Sequence, residues 1–166
     1  MIVSRFASAV MMLLASLSYA HDYRNDTVSI DHPWSRPTPP GTPVGVGYLD
    51  ITNHGSTNII LTGAKTPRAG RVSIHQSLMS EGMMRMQPVS DGLVIPAGGT
   101  VELKPHGYHL MLEQLSGPLM EGERIPATLL FDGAEDMAVE LAVETLDDAS
   151  AGSMGNMDKT MDHSMH

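Results

Sequence analysis

Residues 137–144 alternate without a break, with Met137, Val139, Leu141 and Val143 on one side and Ala138, Glu140, Ala142 and Glu144 on the other. A period of two over eight positions predicts a half-buried strand with its acids in water. Short apolar or alternating runs recur at Val28–His32, Gly45–Thr52, Asn58–Thr62, Arg71–His75, Met83–Val89, Leu93–Ile95, Thr100–Leu103, Gly107–Leu112 and Ala127–Phe131. Between them stand turn signals: Asn53-His54-Gly55, Asp91-Gly92, Pro96-Ala97-Gly98-Gly99, Lys104-Pro105, Ser116-Gly117-Pro118 and Asp132-Gly133. Many short strands at this spacing predict one all-β domain, a sandwich or barrel, over about residues 27–146. There is no internal repeat.

The ends of the chain break the pattern. Arg5 precedes an apolar run from Phe6 to Leu17, and Ser18-Tyr19-Ala20 is a small-x-small sequence. Residues 1–20 therefore read as a secretory signal cleaved after Ala20, which implies export to the periplasm. Cleavage there leaves residues 21–146 as the β domain, with His21 at the new amino terminus. Ser35–Pro43 has four prolines in nine residues, which predicts an extended segment outside the strand ladder. Residues 147–166 hold Asp, Ser, Gly, Met and His with almost nothing able to form a core, so a disordered tail is expected.

Charge and cysteine content narrow the function. The chain has 19 Asp and Glu against 10 Lys and Arg, a net charge of −9 at pH 7. It has no basic stripe for a phosphate backbone, which argues against nucleic acid, and an anionic membrane surface would repel it. No stretch after the signal is long and apolar enough for membrane insertion. With no cysteine, neither disulfides nor thiolate chemistry can operate, and burial alone must hold the fold.

The candidate chemistry lies in His75, Met86, His109 and Met111. Imidazole and thioether donors without thiolates or carboxylates suit soft Cu(I) better than zinc, iron or calcium. In a strand over 107–112, His109 and Met111 share a face, roughly 6.5–7 Å apart at Cα. His75 ends a predicted strand, followed by a loop over Gln76–Gly82. Met84 and Met86 alternate onto one face; Met84 reads as core filling, and Met79 and Met83, flanking the donors, read equally as gap filling or as a second thioether shell. A type 1 electron-transfer site needs a cysteine thiolate, and no nucleophile–base pair, carboxylate pair or phosphate loop is present. The chemistry therefore points to carriage of copper and not to an enzyme.

The run His75-x10-Met86-x22-His109-x-Met111 resembles the copper-binding motif of the periplasmic PCuAC copper chaperone family, also called DUF461. His32-Pro33-Trp34-Ser35-Arg36-Pro37-Thr38-Pro39-Pro40-Gly41, Gly82-Met83-Met84-Arg85-Met86, Ile95-Pro96-Ala97-Gly98-Gly99-Thr100-Val101-Glu102-Leu103 and Gly107-Tyr108-His109-Leu110-Met111-Leu112 extend the resemblance over nearly all of residues 21–146. The resemblance implies a cupredoxin-like Greek-key β-sandwich that binds Cu(I) through the four donors. It also implies delivery of copper to the Cu_A subunit of cytochrome oxidase, alongside a Sco-type thiol protein. His106 stands where the family commonly has glycine and reads as an outward turn residue. His32 and Trp34 read as structural.

Beyond the four donors, the tail concentrates Met154, Met157, Met161, Met165, His163 and His166. The histidines, with Asp162, suit Cu(II), and the methionines suit Cu(I). His21 can chelate Cu(II) through its α-amine and ring, although a frayed terminus is the plainer reading. Two alternatives to delivery remain at this point: a periplasmic copper buffer or resistance protein without a dedicated acceptor, and a copper-dependent enzyme built on His21.

Overall fold

A computed structural model describes residues 23–147. The amino-terminal twenty residues, His21 and the tail donors Met154, Met157, Met161, His163, Met165 and His166 lie outside them. The strands are β1 (Tyr23–Arg24), β2 (Val28–Ser35), β3 (Val44–Asn53), β4 (Ile59–Lys65), β5 (Ala69–Ser80), β6 (Met83–Pro88), β7 (Leu93–Ile95), β8 (Thr100–Leu103), β9 (Tyr108–Leu115), β10 (Arg124–Asp132) and β11 (Met137–Val143). The fold is all-β, as the alternation predicts.

All eleven strands join one sheet in the order β6-β5-β9-β8-β3-β2-β11-β10-β4-β7, with β1 on β2 and β3 also pairing with β9. The order β3-β2-β11-β10-β4, in which late strands return between early ones, is Greek-key connectivity. The sheet wraps over itself around one core. Ile30, Ile51, Leu61, Ile74, Leu110, Leu112, Ile125, Leu129 and Leu141, from seven strands, belong to a single buried cluster. Along β11 the inward residues Met137, Val139, Leu141 and Val143 are all buried, while Ala138 is exposed and Glu140 half-buried. Among the described residues no helix is long and apolar enough to cross a membrane.

Two local expectations are corrected. β5 does not stop at His75: it continues to Ser80, so Gln76–Ser80 is strand and the loop shrinks to Glu81 and Gly82. Both have positive φ, 52° and 77°, the geometry of a two-residue hairpin turn whose twist matches the strands it joins. The polar run misled because a two-stranded ribbon standing clear of the core needs no buried face. For the same reason Met84 does not fill the core; every residue of β6 is exposed.

The proline-rich stretch leaves the ladder after Ser35, as expected, and the strand before it itself contains a proline. β2 runs through Pro33 by a bulge between Asp31 and Trp34, where His32 has φ 41°. A bulge is one of the few places a sheet accepts proline. His32 and Trp34 are structural, as read. The His32 Nε2 pairs with the Glu144 carboxylate at 2.9 Å and its ring stacks on Trp34, which packs against Tyr48 at 4.7 Å between centroids.

Candidate metal centre

β9 sets the site through its inward side. Leu110 and Leu112 are each about fully buried, so the core fixes which way the strand faces, and His109, Met111 and Glu113 must project from the opposite side. A slip of β9 by one residue would turn His109 and Met111 into the core. On β5, Ile74 points inward, which turns Ser73, His75 and Ser77 to the same outer side as His109. The strands pair antiparallel with His75 directly opposite His109 and Ser73 opposite Met111. The two imidazoles lie 6.0 Å apart, 21° from parallel.

Hydrogen bonding then decides which nitrogen each ring presents. His109 Nδ1 is 3.1 Å from the carbonyl oxygen of Gly107. A carbonyl only accepts, so Nδ1 carries the proton and the lone pair is on Nε2. That Nε2 is buried and has no hydrogen-bond partner, and His109 is only 4% exposed. A buried acceptor without a partner is costly, about 1–3 kcal/mol, unless something occupies it. At His75 the Nδ1 lies 3.4 Å from Ser73 Oγ, which donates its own proton to the Glu113 carboxylate at 3.0 Å. His75 Nδ1–H therefore points along a chain ending in a carboxylate, and Nε2 is again the free donor, the orientation usual for metal-ligating histidine.

Burial and the surrounding charge favour the neutral, ligating form of His75. Burial holds the His75 pKa below its ordinary value; His109 and Arg71 push the same way and Glu113 opposes them. Arg71 Nε sits 3.5 Å from Glu113.

The thioethers flank the histidines on the same face. Met111 is two residues beyond His109 on β9. Met86 pairs with Ser77 across the β5–β6 hairpin, which sets it diagonal to His75, whose own partner is Pro88. Such diagonal neighbours are about 7–8 Å apart at Cα, within reach of long side chains. Met86 is 51% exposed, so the donor set runs from a buried histidine to an open methionine. Ser73 and Glu113 escaped the sequence reading. The signal was their parity, two residues from His75 and Met111 on the same face. His106 sits in the exposed Lys104–Tyr108 turn with φ 67°.

Among the described residues no three His, Asp or Glu side chains gather where they could hold a metal ion. A hard, all-oxygen or all-nitrogen site is not formed there. Two imidazole nitrogens with thioethers alongside are a soft, neutral set, which fits cuprous ion.

The model of the LpqE-like family of lipoproteins matches residues 28–143. A lipoprotein of Leifsonia xyli, Lxx21020, is 32% identical over 130 residues, 78% of this chain and 77% of that protein. Among solved structures, the copper-bound PCuAC domain from PmoF2 is 25% identical and superimposes with a TM-score of 0.64, over 75% of this chain and 98% of that one. The solution structure of CuI-DR1885 from Deinococcus radiodurans is 30% identical with a TM-score of 0.59, over 80% of this chain and 86% of that one.

Proposed function

This chain belongs to the LpqE-like family, and from that premise we propose that it carries copper as cargo, binding Cu(I) through His75, Met86, His109 and Met111 in the exported compartment. One observation carries the reading. The buried Nε2 of His109 has no partner and its ring lies beside that of His75, so the fold leaves a lone pair that an added ion can use. Two copper-containing structural neighbours support the choice of metal.

The site is built to give copper up as well as to hold it. Thioethers stabilise Cu(I) without favouring Cu(II), which discourages redox cycling on the protein. The exposed Met86 side of the ion is open, so an acceptor can approach it there. We assign the acceptor to the Cu_A subunit of cytochrome oxidase, with a Sco-type thiol protein alongside, on the strength of the motif resemblance. Removing the gene should impair oxidase assembly at limiting copper; loss of copper tolerance alone would favour a buffer. Residues 147–166 form, in this reading, a tethered Cu(II) site that raises the local supply of copper. Deleting them should remove one Cu(II) equivalent and spare Cu(I) binding.

Cu(I) titration of the protein beside His109→Ala and Met111→Ala tests the core site. Loss of a ligating group should weaken binding by at least about 100-fold at His109, more than the 10–100-fold typical of an outer partner, and less at Met111. Unaltered affinity in both variants would remove the assignment.

A further inference from the structure

The β5–β6 hairpin carries more thioether than one ion at the histidine pair can use. Met79 pairs directly with Met84, and Met86 follows two residues along β6 opposite Ser77. All three methionines therefore share the face on which His75 stands. Opposed residues hold their Cβ atoms about 5 Å apart, and same-face neighbours on a strand are about 7 Å apart at Cα. With three rotatable bonds each, the sulfurs can meet above the hairpin. The fourth corner is Ser77, short enough to leave that space open.

Core packing does not explain these residues. Met79 is 67% exposed, Met84 47% and Met86 51%. The hairpin turn also holds them in step: with Glu81 and Gly82 both at positive φ, the tight loop fixes the register, and a one-residue slip would turn Met79 away from Met84.

We propose that Met79, Met84 and Met86 form a second, thioether-only site for Cu(I), sharing Met86 with the histidine pair and serving as the exit for the cargo. The inference rests on the copper-carrier reading and deepens it. As the ion leaves, its bonds to the two imidazole nitrogens give way to bonds to the sulfurs of Met84 and then Met79, the bond to Met111 is released, and Met86 stays attached. All the sulfur donors are neutral and the ion remains Cu(I), so neither an electron nor a proton has to accompany it. From His75 to Met79 the path spans four residues of β5, about 13 Å, and ends near the hairpin tip, where an acceptor has open access.

The test titrates the full mature chain, with 13C-labelled methionine methyls, against Ag(I), a redox-inert ion of the same charge and softness. The first equivalent should shift Met86 and Met111. Further Ag(I) should shift Met79 and Met84 together, and this second response should persist in His109→Ala. Met84→Leu keeps the volume and removes the sulfur. It should weaken the Met79 response about tenfold and slow removal of Cu(I) by bathocuproine disulfonate, while the affinity for the first Cu(I) stays unchanged. If Met86 and Met111 shift but Met79 and Met84 do not, the exit site is overturned and the carrier reading stands. Silence at all four methionines overturns the carrier reading itself. A Met79 response equally strong in Met84→Leu, or an unchanged removal rate, also overturns the exit site and leaves the hairpin only an apolar surface.

Discussion

His109 and Met86 donate to the same proposed ion, yet the protein holds them by opposite means. His109 stands on a strand whose neighbours Leu110 and Leu112 are buried in the core, and its ring is tied to Gly107 and screened from water. Met86 stands on a strand with every residue exposed, kept in place only by pairing with β5 and by a two-residue turn. The first arrangement is paid for by hydrophobic burial elsewhere in the chain. The second costs little to bend. A carrier gains from this asymmetry, because the buried end defines where the ion sits and the open end can release it.

The sharpest way to break the comparison is to strike the buried support without touching a donor. Leu110→Ala should lower the unfolding free energy by about 3 kcal/mol, read in a denaturant titration. It should also loosen copper, since His109 loses the strand that aims it. A stability loss with copper binding intact would separate the donors from the core and refute the link. Met86→Leu probes the other end. It should cost about tenfold in Cu(I) affinity, well below the loss at His109, while stability stays within about 0.5 kcal/mol, as for exposed substitutions generally. Equal affinity losses at Met86 and His109 would erase the distinction between an anchored and an open end.

The smallest effect concerns the rest of the outer face, where carboxylates stand opposite one another across the strands. Asp50 on β3 lies directly opposite Asp31 on β2 and Glu102 on β8. Burial, then Glu102 and Asp31, raise its pKa above the usual aspartate value, against the pull of His32 and Lys104. A raised carboxylate pKa means the folded protein holds the proton more tightly than the unfolded chain. Stability is therefore lower once pH exceeds the folded pKa, and it recovers as pH falls toward the unfolded value. Asp50→Asn should stabilise the protein at pH 7 by about 0.5 kcal/mol, in line with cross-strand like-charge pairs. Thermal unfolding across pH should show that gain vanish in acid, where both versions are neutral. A gain that persists in acid would point to packing instead of charge.

Much of this was legible in residue order because strands declare themselves by period. The alternation at 137–144 gave β11, and His109-Leu110-Met111 gave the paired donors on β9, since each is local. The hairpin resisted because Gln76–Gly82 lacks the apolar side by which a strand is usually recognised. A ribbon whose partners are each other carries no such mark. Met84 was misjudged for the same reason: methionine implies burial only where there is a core to enter. Ser73 and Glu113 were hidden because their role depends on the strand opposite and not on their neighbours in the chain.

The order of residues alone determined the all-β class, the acidic and thiol-free character, and the set of soft donors available, because composition and period act over a few residues at a time. Only tertiary structure decided that His75 meets His109, that Nε2 of His109 is left buried and unpartnered, and that Met79, Met84 and Met86 line one exposed face. Each of those facts depends on which strands pair and in what register. Register follows from packing apolar residues far apart in the chain into one core, which no local stretch contains.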